Sequence, residues 1–147
     1  MTLEFRAIKG EQEIEDVYNY NSQAFSGILE KNWSMETLKE EVKSGWQLYA
    51  AVEEDQIVAA LFIKKEEGAL LTKNTSIKMG FQGKGHSHLI KQFYEDYAKE
   101  NHLASIKSYC RQDDFRAISL NGTHGYVQKG NMMVGNCEIL EWGKKNS

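Results

Sequence analysis

The chain lacks proline altogether and has only two cysteines among its 147 residues. Without proline or any low-complexity segment, no linker divides the chain, so we expect one domain over residues 1–147. Cys110 and Cys137 lie too far apart in sequence for a CxxC site and are too few for a disulfide framework. We expect two free thiols and no metal site, because His86 and His88 also lack a third ligand nearby.

Long apolar runs and basic clusters are also missing. The first residues alternate between apolar and charged types, unlike a signal peptide, and no apolar stretch is long enough to span a bilayer. We therefore expect a cytoplasmic chain with no membrane contact. A formal net charge of −3 provides no general attraction for a polyanion, so nucleic acid is not an expected partner. The hydrophobic fraction of 41% and the charged fraction of 27% are typical of a packed globular protein.

The first half of the chain alternates between patterns of period two and patterns of helical spacing. Period two predicts strands, and apolar residues at steps of three and four predict amphipathic helices. The three later apolar segments are separated by short polar breaks, which favour an antiparallel meander. The predicted elements are a strand at 3–7, helices at 11–25 and 34–45, and strands at 46–53, 57–63 and 69–79.

The second half contains the clearest helix of the chain. Apolar residues at four-residue steps, including Phe93 and Tyr97, predict a helix over 86–100 that packs this face on the sheet. Lys91 falls among the charged residues that we assign to the solvent face, and Asn101 is expected to cap the helix. The remaining predicted elements are a strand at 104–111, a short helix at 115–121, and a final hairpin with strands at 126–134 and 137–142.

A glycine-rich turn joins the last strand of the meander to this helix. The run Gly-Phe-Gln-Gly-Lys-Gly at 80–85 brings together free backbone N–H groups, the positive end of a helix dipole and Lys84, which predicts a phosphate site. A Walker A loop does not fit, because Lys84 is followed by Gly85. A dinucleotide fingerprint would need glycine where His88 stands. The turn therefore indicates neither ATPase nor NAD chemistry.

The run Gln-Gly-Lys-Gly-His-Ser at 82–87 is similar to Gln/Arg-x-x-Gly-x-Gly/Ala, the pyrophosphate-binding motif of the GCN5-related N-acetyltransferase (GNAT) family. Its final serine replaces the usual glycine or alanine. That family also carries Asn-x-x-Ala-x-x-Leu-Tyr-x-Lys-x-Gly-Phe after the next strand. The order of predicted elements resembles the family over nearly the whole chain. The matching positions of the second motif are Ala117, Leu120, Gly125 and Tyr126.

The resemblance implies an α+β fold of three layers, in which a mixed central sheet of about seven strands is flanked by about four helices. Strands four and five of this sheet would splay apart. Backbone groups at the end of strand four would bind the pantetheine arm of acetyl-CoA, and the motif loop would bind the pyrophosphate. Residues after strand five would approach the thiol. The implied coenzyme-binding residues are Ile77, Lys78, Met79, Gln82, Gly83, Lys84, Gly85, His86, Ser87, Asp114, Ala117 and Asn121.

The resemblance also implies an activity, the transfer of an acetyl group from acetyl-CoA to a primary amine by direct attack in a ternary complex. The amine would belong to a small molecule, a peptide or a protein. Asn121 stands where many relatives carry the tyrosine that protonates the thiolate. An amide can stabilise a thiolate by a hydrogen bond but cannot supply a proton. The second catalytic candidate is His124, and the other candidates for an acid or base are Tyr126, Glu66, Glu67 and Tyr109.

Two alternatives stay open from the sequence. Because Asn121 cannot act as an acid, the chain could be a non-catalytic acyl-CoA-binding or sensing module of the same fold. Cys110 could instead carry the acyl group as a nucleophile, although cysteines in buried strands are usually inert. The resemblance further implies a homodimer, with the last hairpin as the contact.

Overall fold

The computed structural model describes residues 3–21, 35–77, 85–113 and 115–145. Within these ranges the chain forms seven strands and four helices. None of the helices in these ranges is long and apolar enough to cross a membrane. In chain order the elements are β1 (Glu4–Ala7), α1 (Gly10–Asn21), α2 (Met35–Lys43), β2 (Gln47–Glu53), β3 (Gln56–Glu66), β4 (Ala69–Ile77), α3 (His86–Glu100), β5 (Ser105–Arg111), α4 (Phe115–Thr123), β6 (Val127–Val134) and β7 (Cys137–Lys145).

The strands form one mixed sheet in the order β1-β2-β3-β4-β5-β7-β6. The pairs from β1 to β4 are antiparallel, β4 and β5 are parallel, and β5, β7 and β6 are again antiparallel. Short turns join β2 to β3, β3 to β4 and β6 to β7, whereas the parallel pair of β4 and β5 is connected through α3, as a parallel crossover requires. This topology confirms the predicted seven-stranded mixed sheet with four helices and the predicted meander.

Two hydrophobic clusters lie on opposite faces of the sheet. Ala59, Leu61 and Ile63 of β3 belong to the cluster that packs with α3, while Ala60 and Phe62 belong to the cluster that packs with α1 and α2. Successive side chains of a strand point to opposite faces, so β3 is apolar at every position from Ile57 to Ile63 because both faces are covered there. The result is the predicted three-layer arrangement.

Several element bounds differ from the predicted ones. α3 has the predicted bounds, but α4 ends two residues later, at Thr123, and both β3 and β7 extend through polar residues to Glu66 and Lys145. Ladder hydrogen bonds to the neighbouring strands hold these polar ends in the sheet, which a hydropathy pattern does not show. The predicted end of the first helix and Ser34, the predicted cap of the second, lie outside the described residues.

Candidate functional site

Strands β4 and β5 separate at one end of the sheet. Their parallel ladder stops at the pair formed by Thr72 and Ser108. β4 nevertheless continues to Ile77, where it pairs with β3, and β5 continues to Arg111, where it pairs with β7. Beyond Thr72 and Ser108 the facing edges of β4 and β5 are therefore unpaired with each other. This splay exposes backbone donors and acceptors that a bound ligand could satisfy.

Helix α3, which follows β4 in the chain, begins with an N-terminus suited to an anion. Its N-cap is Gly85 in the left-handed conformation, with φ 85° and ψ 0°, and its first turn contains no acidic residue. The first amide groups of a helix have no intrahelical acceptor. A Cβ at Gly85 would meet no described atom within 4 Å, so glycine is needed here for its backbone conformation and not for lack of space.

The side chain of His86 turns inward and anchors the start of α3. It is 1% exposed, and its Nε2 lies 2.8 Å from Oε2 of Glu53, at the end of β2. We expected His86 among the coenzyme-binding residues. The structure places Nε2 of this imidazole against Glu53, and coenzyme binding by His86 stays a prediction.

A buried polar cluster lies between α3, β5 and α4. The ammonium of Lys91 donates to Oδ1 of Asn121 at 2.6 Å and to Oγ of Ser108 at 3.4 Å. Nδ2 of Asn121 lies 3.9 Å from Sγ of Cys110. Lys91 Nζ also lies 4.3 Å from the ring centroid of Tyr126, a cation–π distance. Lys91 and Asn121 therefore belong to one hydrogen-bonded cluster.

Burial distinguishes this cluster from ordinary surface contacts. Lys91 is 6% exposed and Asn121 is 1% exposed. Loss of hydration lowers the pKa of Lys91 to about 8, a change that the charges of Cys110 and Glu95 oppose and that of Lys144 reinforces. The prediction that Lys91 faces solvent is wrong. Direct contact between Asn121 and a thiolate stays a prediction, and the burial of the amide does not favour it.

His88 and His124 form a second link between α3 and α4. Nδ1 of His88 lies 2.8 Å from Nε2 of His124, and the two rings are 5.0 Å apart. A hydrogen bond between two imidazoles needs one ring nitrogen to donate and the other to accept. Partial burial and then the neighbouring His88 lower the pKa of His124. A catalytic role for His124 stays a prediction, and the structure places this residue half-buried against His88.

Solved structures of acetyltransferases share this architecture. The ribosomal-protein-S18-alanine N-acetyltransferase of Escherichia coli matches with a TM-score of 0.81 and 12% identity, over 99% of this chain and 95% of that one. An acetyltransferase of the GNAT family from Desulfovibrio desulfuricans matches with a TM-score of 0.79 and 11% identity, over 99% and 100%. The PaiA N-acetyltransferase of Thermoplasma acidophilum, in complex with coenzyme A, matches with a TM-score of 0.72 and 15% identity, over 96% and 98%.

The chain has the GNAT fold. No protein-family model matches the sequence, and no curated protein matches it either. At identities of 10% to 15% the likeness to solved structures is one of fold alone. The splay between β4 and β5 and the glycine at the start of α3 are thus features of a GNAT fold whose side chains have diverged.

Of the other acid and base candidates in this GNAT fold, Glu66 and Glu67 lie at the paired end of the β4–β5 ladder, whereas Tyr109 lies on β5 just beyond its last pair. Glu66 ends β3 and Glu67 occupies the following turn, before Ala69 begins β4 at the paired end of the β4–β5 ladder. The hydroxyl of Tyr109 donates to Glu141 at 3.1 Å, and burial followed by this carboxylate raises its pKa to about 12. Tyr109 is half-buried.

Tyr126 is the one remaining acid candidate that touches the buried cluster. It is buried beneath Lys91, and within the described residues its hydroxyl has no hydrogen-bond partner. Burial raises its pKa, so the phenol stays protonated at neutral pH and does not provide a base.

The remaining predicted site residues divide into two groups. Ile77 lies at the end of β4, Ser87 in the first turn of α3, and Ala117 on α4. Ser87 and Ala117 are half-buried. No cluster of three or more metal-ligating side chains lies in the described part of the chain. The predicted residues outside the described ranges are Lys78, Met79, Gln82, Gly83, Lys84 and Asp114.

The residue that sequence reasoning missed is Lys91. The spacing of α3 already indicated that Lys91 is buried. The buried stripe of this helix contains Ile90, Tyr94 and Ala98. Lys91 lies three residues before Tyr94 and seven before Ala98, which places it on the same face. We assigned it to the opposite face from its charge alone. A lysine within an apolar stripe is unusual enough to mark a candidate site.

Proposed function

We propose that this chain is an N-acetyltransferase that binds acetyl-CoA in the splay and transfers the acetyl group to a primary amine. The observation that carries the proposal is the end of the β4–β5 ladder at Thr72 and Ser108, while both strands continue. A parallel sheet interior normally keeps its ladder paired, because unpaired buried backbone groups are costly. Amides of a pantetheine arm would satisfy the free edge of β4 as an added strand does.

The start of α3 supports a pyrophosphate at the mouth of the same splay. The helix offers the amides of its first turn and the positive end of its dipole, and it provides no acidic side chain of its own in the first turn. The motif at 82–87 ends on this turn. One structural neighbour carries coenzyme A, and another acetylates an alanine of a ribosomal protein. Both bear on this chain only through the shared fold.

The chemistry proposed is direct attack of a neutral amine on the thioester carbonyl. The new C–N bond forms as the C–S bond breaks, and the electron pair of that bond stays on the coenzyme sulfur. The enzyme must hold the amine and the thioester together, accept the amine proton and supply charge or a proton to the sulfur. Positioning by the splay is expected to contribute most, because no preorganised base lies among the described acid and base candidates.

Calorimetry with acetyl-CoA tests the binding step. Gly85→Leu should weaken binding at least tenfold, because the strained backbone moves the first amides of α3 away from the pyrophosphate. Gly68→Leu is the matched control, since Gly68 has a φ of 78°, equally open surroundings, and a place at the opposite end of β4. Equal affinity in both variants would exclude the pyrophosphate assignment. Absence of binding to the wild-type chain would exclude the proposed function altogether.

A thiol-release assay over an amine library then separates the enzyme from a sensor. The proposed enzyme should release coenzyme A in an amine-dependent way, with a product amide detected by mass. Binding of acetyl-CoA without turnover on any amine would instead support the alternative, a non-catalytic acyl-CoA-binding module. The burial of Asn121 keeps that alternative relevant, since the amide offers little surface to a thiolate.

A further inference from the structure

The splay has a charged group at its apex. Ser108 belongs to the last pair of the β4–β5 ladder, and its hydroxyl accepts a hydrogen bond from the ammonium of Lys91. At the same level the hydroxyl of Thr72 donates to the carbonyl of Lys107 at 3.0 Å. The ammonium therefore lies where the two strands begin to separate, on the face covered by α3. Lys91 lies outside both sequence motifs, so neither motif predicts a cation at this point.

The groups that Lys91 contacts directly carry no charge. Its hydrogen bonds go to the neutral side chains of Asn121 and Ser108, and its third close neighbour is the ring of Tyr126. Among the described residues no carboxylate forms an ion pair with Lys91. Glu95, whose charge raises the pKa of Lys91, is itself paired with Lys144 at 2.5 Å. In the part of the chain that the structure describes, the charged or titratable groups that face Lys91 are Cys110 of β5, His124 after α4, Tyr126 before β6, Lys144 of β7, and Tyr94 and Glu95 of α3.

A buried cation whose direct contacts are all neutral favours an anion beside it. Charge burial is costly unless an opposite charge or enough hydrogen bonds offset it, so a thiolate in the splay would lower the energy of Lys91 as Lys91 lowers that of the thiolate. The hydrogen bond to Ser108 is long, at 3.4 Å, and it is the contact that a sulfur atom would replace most easily. The bond to Asn121, at 2.6 Å, would hold the ammonium in place meanwhile.

We propose that Lys91 is the acid of the transfer reaction, taking the part for which the side chain of Asn121 is unsuited. This inference rests on the proposed function. As the C–S bond breaks, its electron pair remains on the coenzyme sulfur, and Nζ of Lys91 gives one proton to that sulfur. The nitrogen of the attacking amine loses one proton to solvent as it becomes the amide. Coenzyme A leaves as the thiol, and Lys91 is left as a neutral amine. It regains its proton from solvent when the splay empties.

The pKa of the thiol of bound coenzyme A tests this assignment without any acceptor. Thiolate absorbance is followed against pH, and the same protein loaded with desulfo-coenzyme A is subtracted to remove the cysteines. In the wild-type chain the bound thiol should titrate at least about one unit lower than in Lys91→Met, because an opposite charge within a few ångströms shifts a pKa by that much. Lys99→Met, an exposed lysine of the same helix, should leave the thiol pKa unchanged.

The outcomes separate the inference from the function on which it rests. Equal thiol pKa values in the wild-type chain and Lys91→Met would overturn the role of Lys91 while leaving the coenzyme site intact. Lack of coenzyme binding by the wild-type chain would overturn both. Loss of binding in a folded Lys91→Met chain would make Lys91 a binding residue and would also overturn the assignment.

A second measurement needs no variant and therefore stays decisive if Lys91→Met does not fold. The Cε resonance of Lys91 is titrated by NMR in the wild-type chain with coenzyme A and with desulfo-coenzyme A. A nearby thiolate should raise the pKa of Lys91 in the first complex relative to the second. Identical titration curves in the two complexes would show that the sulfur lies too far from Lys91 to receive its proton.

Discussion

At the scale of single residues, Lys91 ties stability to pH in a direction that can be worked out. Its pKa is about 8 in the folded chain and near 10.4 when exposed. Between these values the unfolded chain binds more protons, so the free energy of unfolding rises with pH. For Lys91 alone we expect a gain of about 2 kcal/mol between about pH 7 and 9.5. Urea denaturation of the apo chain at a series of pH values measures it.

In Lys91→Met the free energy of unfolding should no longer rise between about pH 7 and 9.5, whereas in Lys99→Met it should still rise. The absolute stability of Lys91→Met at pH 7 is expected to change little, because the relief of a buried charge offsets the loss of a partner for Asn121. The slope of the free energy of unfolding against pH is thus the informative quantity. A slope that persists in Lys91→Met would show that another group titrates in this window. Above about pH 10 the tyrosines with raised pKa values act in the opposite direction, so the comparison ends below that pH.

The contact between His88 and His124 predicts a second pH effect. Partial burial, and then the charge of His88, lower the pKa of His124, so protonation of His124 disfavours the folded state as the pH falls below about 6.5. NMR titration of the imidazole carbons should show His124 titrating below the ordinary range. In His88→Asn its pKa should move part of the way back, because burial remains. An unchanged pKa of His124 in that variant would show that the two rings do not interact in solution.

These residues also show how far sequence reasoning reaches. Asn121 and His124 were singled out as candidates because the second motif fixes their register, but their hydrogen-bond partners come from α3, some thirty positions earlier in the chain. Such a pairing depends on how two helices pack on the sheet. Hydropathy and spacing describe one element at a time, so they could not show that Lys91 meets Asn121 or that His88 meets His124.

At the scale of elements, the end of α3 carries an avoidable strain. Leu103 N donates to Ala98 O at 2.8 Å and His102 N donates to Lys99 O at 3.2 Å, the two bonds of a Schellman motif. His102 stands at the left-handed position with a φ of 57°, where glycine is usual. His102→Gly should therefore raise the free energy of unfolding by about 0.5–1 kcal/mol. Thermal and urea denaturation measure the change.

His102→Ala is the matched control for this helix end. Alanine keeps a Cβ in the left-handed position, so it should give no stabilisation. If alanine stabilised the chain as much as glycine, the benefit would come from removing the imidazole and not from the backbone. The sequence correctly predicted α3 and Asn101 as its C-cap because local spacing decides both. The strain at His102 depends on the backbone conformation, which cannot be predicted from the residue type alone.

At the scale of the whole molecule, the order of elements was predictable and the splay was only implied. Short turns and alternating patterns determine the meander, and a helix between two strands favours a parallel pair. The point at which β4 and β5 separate depends on pairings with β3 and β7 on their outer edges. Those pairings join segments far apart in sequence, so composition and periodicity carry no information about where the ladder stops. Only the resemblance to a family led us to expect it.

The edge strand β6 leads to a prediction about assembly. β6 lies at one edge of the described sheet and pairs there with β7. Three consecutive apolar side chains near its end are well exposed: Met132 at 43%, Met133 at 66% and Val134 at 59%. An exposed apolar edge strand is a ready partner for another strand, and two copies related by a twofold axis can pair their edges antiparallel. We therefore expect the chain to form a homodimer through β6.

Met133→Lys should convert this dimer into a monomer without unfolding it, because a charged side chain at an edge opposes strand addition and Met133 contributes little to the core. Sedimentation equilibrium over a range of concentrations measures the change. Phe115→Lys is the matched control, since Phe115 is apolar and 74% exposed but lies on α4. If Phe115→Lys disrupts the dimer and Met133→Lys does not, the contact lies near α4. A wild-type chain that stays monomeric at high concentration would show that the exposed edge of β6 is not a contact between copies.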